Sequence, residues 1–128
     1  MIALGVRMAQ LETTALVADD LGELREELFH HFAREEEGLF PFVTDVFPEH
    51  AAQVETMATA HDAICGALAR AYHLATSNAD AAIVISIYNR FEQAYAAHAR
   101  AESELFDELG AKLTLAQSVR LAELVRDL

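Results

Sequence analysis

Three helical seams in this chain carry a histidine where an apolar residue belongs, and that pattern restricts the fold more than any other feature. One seam holds His98-Ala-Arg-Ala-Glu102, between Tyr95 and Leu105. A second holds His31-Phe-Ala-Arg-Glu35, and His-x3-Glu-x-Glu occurs in both, as a weak internal repeat. A spacing of four puts two helical side chains on one face, one turn apart. An imidazole nitrogen and a carboxylate oxygen placed that way can hold the same metal ion or adjacent ones. His61 interrupts the third seam.

The chain reads as one all-α domain over residues 1–128. Leu4, Met8 and Leu11 recur at helical spacing, so residues 1–12 read as a short first helix, followed by a connection over 13–20. A second helix is expected over about 20–46, capped by Asp19 or Asp20. Its seam is Leu24, Leu28, His31, Glu35, Gly38 and Phe42, the alternating spacing of a bundle helix. Pro41 loosens its last turn, and Phe47-Pro48-Glu49 makes the bend.

A third helix is expected over about 49–75, with Val54, Met57, His61, Ile64, Leu68 and Ala71 inward. Ser77 to Asp80 is a turn, with Asp80 as N-cap. A fourth helix follows over about 80–109, its seam Val84, Ile87 or Tyr88, Phe91, Tyr95, His98, Glu102, Leu105 and Leu109. Gly110 is a stop signal. Thr114 then caps a short amphipathic helix, with Leu115, Val119, Leu121, Leu124 and Val125 as its apolar face, packed over one end. The architecture expected is an up-down-up-down four-helix bundle with a short extra C-terminal helix.

Short connections make consecutive helices antiparallel. His31 and His61 each lie about fifteen residues from the bend near 46, so at ~1.5 Å per residue both stand ~22 Å from it. His61 and His98 stand at distances from the next bend that differ by roughly one turn or less, ~5 Å. His31, Glu35, His61, His98 and Glu102 therefore belong to one layer of the core. A single core histidine needs no special explanation. Two buried carboxylates do, because desolvating each costs several kcal/mol by rough reckoning. A cation offsets that cost, and bundle cores are a usual place for carboxylate–histidine metal sites. A hydrogen-bonded network without metal is the alternative. Imidazole and carboxylate without thiolate suit iron, manganese or zinc. Two Glu on different helices, each able to bridge, favour two ions over one.

Composition narrows the partners. The formal net charge of −12 disfavours nucleic acid and anionic membranes. Cys65 is alone, which excludes an internal disulfide and a Cys-based zinc motif, and a reducing cytoplasm is the natural compartment. No apolar run is long enough to span a bilayer.

The run His31-Phe-Ala-Arg-Glu35-Glu-Glu-Gly-Leu-Phe-Pro41, with Met57-Ala-Thr-Ala-His61-Asp and His98-Ala-Arg-Ala-Glu102, resembles the hemerythrin-like (HHE cation-binding) family over roughly residues 20–109. The resemblance implies an up-down four-helix bundle with a non-haem, oxo- or hydroxo-bridged di-iron centre. It also implies that Glu35 and Glu102 bridge the ions while His31, His61 and His98 are terminal ligands. Proteins of this kind bind or sense dioxygen, sense redox state, store or sense iron, or act on peroxide or nitric oxide. The chain departs from the pattern in one place: the family carries a further histidine on the first helix, and residues 1–20 contain none. The expectation is that Met1 lies inside that helix and the missing ligand upstream. Otherwise the site has three His and two Glu, with Glu12 as a substitute ligand, and dimerisation would cover the core strip a short first helix exposes.

The remaining candidates read as structural. His30 falls on a surface or interface, His50 is too far along its helix to share a metal with His61, and His73 is solvated. Glu37 and Glu104 are solvated acids; Glu36 is a reserve ligand. Phe32, Met57 and Phe91 are core that keeps the site dry, Tyr95 is packing that could reach a ligand, and Cys65 is a small buried hydrophobe. Three functions follow: a di-iron module that binds or senses dioxygen, redox state or iron; a di-iron enzyme acting on peroxide or nitric oxide; or a metal-free interaction bundle.

Overall fold

The computed structural model describes residues 18–128. The helix expected over 1–12, with Glu12, lies outside the described residues. Helix α1 (Ala18–Arg34) passes through a π-helical turn (Glu35–Leu39) into α2 (Phe40–Val46). A 3-10 turn (Pro48–His50) leads into α3 (Ala51–Thr76), and α4 (Ala81–Gly110) and α5 (Leu115–Arg126) follow. The described residues form an all-α bundle in which α3 and α4 pack most extensively on each other and α1 packs on α3. None of these helices is long and apolar enough to cross a membrane.

Local chemistry sets the ends. After α3, Asn78 takes a left-handed conformation (φ 56°). The Ala79 N–H donates to Leu74 O (3.0 Å) and the Asn78 N–H to Ala75 O (3.4 Å), closing the helix as asparagine can in this motif. Asp80 Oδ1 accepts from the Ala82 N–H at 3.0 Å and starts α4. Thr114 and Gln117 form a reciprocal capping box at the start of α5.

The expected seams of α3 and α4 are buried throughout, with Ile87 and Tyr88 both inside. The seam of the second helix is not as expected beyond Glu35. Leu39 and Val43 are buried, while Gly38 and Phe42 are half-buried. The π turn is the cause: the Phe40 N–H donates to Glu35 O, five residues back, so one extra residue enters the turn and the seam slips by one. Pro41 explains the position, since it has no N–H to give Glu37 O and its ring crowds that carbonyl.

The C-terminal helix also differs from expectation. Leu115 is 83% exposed, and Val119 and Val125 also face outward. Leu121 and Leu124 alone of the expected face pack on the core, joined by Leu113 before the helix and Leu128 after it. The contact is made at Gly38, where an added Cβ would stand 3.2 Å from Leu124 Cδ2. Helix α5 thus lies along the π turn through one edge only.

The apolar core is in two parts. One joins Leu21, Leu24, Leu28 and Phe32 to Ile64, Leu68, Tyr88, Phe91 and Tyr95. The other joins Leu39, Phe40 and Val43 to Val54, Met57, Leu105 and Leu109. In register terms the buried polar residues lie between them. Truncating Leu68, fully buried in the first part, to Ala is expected to cost about 3 kcal/mol in chemical denaturation. Leu115→Ala should change stability by no more than about 0.5 kcal/mol.

Candidate metal centre

Glu35 opens the π turn, one turn after His31; His61 sits mid-way along α3, and His98 and Glu102 lie one turn apart on α4. All five are buried, and both carboxylates are fully shielded. The structure brings them together. Glu35 Oε1 faces His31 Nε2 at 3.5 Å and His98 Nε2 at 3.6 Å, while its Oε2 faces His61 Nε2 at 3.4 Å. His98 Nε2 also faces Glu102 Oε2 at 3.3 Å and His61 Nε2 at 3.2 Å. One carboxylate thus touches imidazoles from α1, α3 and α4.

These separations decide what the cluster can do. Both oxygens of Glu35 and both of Glu102 are buried without a hydrogen-bond partner. Orphaned buried carboxylate oxygens are costly, so the protein alone leaves the layer unsatisfied. Ligands bonded at ~2.05 Å to one tetrahedral ion stand ~3.3 Å apart, which is the spacing seen here. Glu35, His61 and His98 each offer an atom within 4.8 Å of the other two, a group that could hold a metal ion. His31 and Glu102 flank it through the contacts above.

The electrostatics fit a cation as well. Burial acts to raise the Glu35 carboxyl, but the His31, His61 and His98 imidazoles around it win and hold it well below the ordinary carboxylate range. Burial, aided by the Glu35 charge, pushes Glu102 up against the opposing pull of His98. Burial disfavours the charged His98, yet Glu102 and Glu35 together raise it to about 9. In the absence of a metal, then, a proton on His98 takes part of the cation's place.

Aromatic rings close the layer. Phe32 stacks on His61 with centroids 3.6 Å apart and planes 7° from parallel, and meets His98 edge-on. Phe40 also stacks near His61 at 5.4 Å. Tyr95 belongs to the adjoining apolar cluster; burial, Glu102 and Glu35 push its phenol up to about 12, so it stays neutral. Cys65 is half-buried, and burial with the charges of Asp62 and Glu36 pushes its thiol up, which disfavours the thiolate. His30 and His73 are exposed. His50 is buried but lies apart from the cluster, between Gln53 Oε1 (2.5 Å) and Lys112 Nζ (3.1 Å). Its separation from His61 along the chain axis is the one expected from sequence, although His50 lies in the 3-10 turn before α3 rather than within that helix.

A helical bundle with a buried layer of imidazoles and carboxylates defines a cation-binding class. Residues 3–109 match the family model described as the hemerythrin HHE cation-binding domain, and the chain belongs to that family. No curated protein and no solved structure matches the chain significantly.

Bound metal must displace the His98 proton. Affinity for zinc(II) should therefore rise with pH throughout the range below about 9 and flatten above it, as measured by chelator competition. A pH-independent affinity would contradict this. In the metal-free protein the same raised group stabilises the fold below about 6.5, and that contribution is lost as pH rises through about 9.

Proposed function

We propose that His31, Glu35, His61, His98 and Glu102 hold two iron ions, and that the chain is a non-haem di-iron protein that binds or senses dioxygen, redox state or iron. The carrying observation is Glu35, whose two oxygens face different imidazoles: His31 and His98 on one side, His61 on the other. A carboxylate used at both oxygens can bridge two ions, one of them held by the Glu35, His61 and His98 group. A second buried carboxylate, Glu102, supports the same reading. The all nitrogen-and-oxygen donor set suits iron, with manganese or zinc as substitutes.

Bound iron would supply the redox chemistry and the affinity for a small ligand such as dioxygen. The chain's own residues do the rest. Three helices fix the donors, so little rearrangement is needed to bind. Phe32 and Phe40 cover His61, and the two apolar clusters keep bulk water from the layer. Tyr95 remains a neutral phenol near two acids. These features support binding in a dry pocket.

The test is iron content per chain after expression with iron, with visible absorption recorded with and without oxygen. About two irons per chain and an oxygen-sensitive charge-transfer band are expected. His61→Ala and Glu102→Ala should each lower metal affinity by more than about tenfold, whereas His50→Ala should not. A wild-type chain that binds no iron would sink the proposal.

A further inference from the structure

Among the three imidazoles of the layer, His61 alone has a described carboxylate facing each ring nitrogen. Its Nε2 faces Glu35 Oε2 at 3.4 Å, and its Nδ1 faces Glu36 Oε1 at 3.6 Å. The two acids are consecutive in sequence, and that is unusual for one helix. Neighbours on an α-helix diverge by 100°, so Glu36 would point away from the seam that carries Glu35. The π turn widens the helix and lowers the divergence to roughly 80°, so both residues can reach His61.

Stacking on Phe32 fixes the plane of the His61 ring but not which edge points inward. That choice needs a group on the outer edge. The Nδ1 atom is buried and has no hydrogen-bond partner within ordinary reach. Glu36 is the carboxylate beside it, and its side chain is 47% exposed and free to close the remaining ~0.7 Å to a charge-assisted bond. The inner edge agrees. His61 Nε2 and His98 Nε2 are 3.2 Å apart, so only one of them can carry the shared hydrogen. His98 Nε2 faces two carboxylate oxygens and is the better donor, which leaves His61 Nε2 as acceptor and its own hydrogen on Nδ1.

We propose that Glu36 is a positioning residue for the metal centre: its carboxylate accepts the Nδ1–H of His61 and so presents Nε2, unprotonated, to the ion. The proposal rests on reading His61 as a ligand. It gives Glu36 a different role from that of a ligand, because its oxygen lies at the edge of the ring away from Glu35. Metal-bound histidines generally gain orientation and basicity from such a partner.

Two measurements test it. The first is the tautomer of His61 in metal-free protein labelled with 15N-histidine, read from long-range 1H–15N correlations. Wild type should carry the hydrogen on Nδ1. Glu36→Ala should shift population to the Nε2–H form, and Glu36→Gln, whose amide oxygen also accepts, should retain Nδ1–H. The second is zinc(II) affinity. Glu36→Ala should lose about tenfold, Glu36→Gln should recover most of it, and Glu37→Ala, which removes an equal charge from the next exposed position, should match wild type. An Nε2–H tautomer in wild type overturns the proposal, as does a Glu36→Ala loss no larger than that of Glu37→Ala. If the chain takes up no zinc or iron, the ligand reading fails, and the tautomer measurement still decides the role of Glu36.

Discussion

The Glu35 carboxylate, wholly removed from water and facing imidazoles on three helices, is the interaction on which the rest of this structure depends. A lone buried carboxylate costs several kcal/mol by rough reckoning, and it is tolerated only where positive charge meets it. Here that charge comes from protonated His98 or from a cation. The core is organised around the requirement. Apolar packing above the layer joins α1, α3 and α4, and packing below joins α2 to the other ends of α3 and α4. Those two clusters hold the helices at the level where the polar side chains meet.

The π turn is where the backbone adapts to the site. Pro41 prevents an ordinary helical ladder just after Glu35, and the extra residue restores apolar contact through Leu39 and Val43. The same turn carries Gly38, against which Leu124 of α5 rests, and Arg34 before it reaches the Leu128 carbonyl at 3.4 Å. The C-terminal helix is thereby seated on the segment that bears Glu35 and Glu36. A local departure from α geometry serves packing, the placement of the buried Glu35 and helix docking together.

Membership of the HHE cation-binding family and the geometry of the layer point the same way. The family match rests on sequence alone. The geometric argument rests on orphaned oxygens and on donor spacings that suit a shared ion better than hydrogen bonds. A purely structural polar network would be expected to satisfy its carboxylates with short donors. This one holds them at ion-pair distance from imidazoles.

Much of this was readable from the chain because helical periodicity is local. The positions of His61 in the α3 seam, and of His98 and Glu102 in the α4 seam, follow from spacing, and simple rise-per-residue arithmetic puts them level with His31 and Glu35. Asp80 and Thr114 act as caps for reasons confined to a few neighbouring residues. Tertiary structure decided what periodicity could not carry. The seam slip after Glu35 depends on a turn whose extra residue is favoured by packing Leu39 and Val43 inward. The face of α5 was misjudged because amphipathic spacing gives a direction but not a partner, and only the contact at Gly38 selected Leu121 and Leu124 over Leu115 and Val119. Glu36 read as a solvated acid or a reserve ligand, since spacing from His31 singles out Glu35 but assigns its neighbour no role. Its place at the Nδ1 edge of His61 exists only once α3 is packed against the π turn, because burial and charge pairing are set by neighbours distant in sequence.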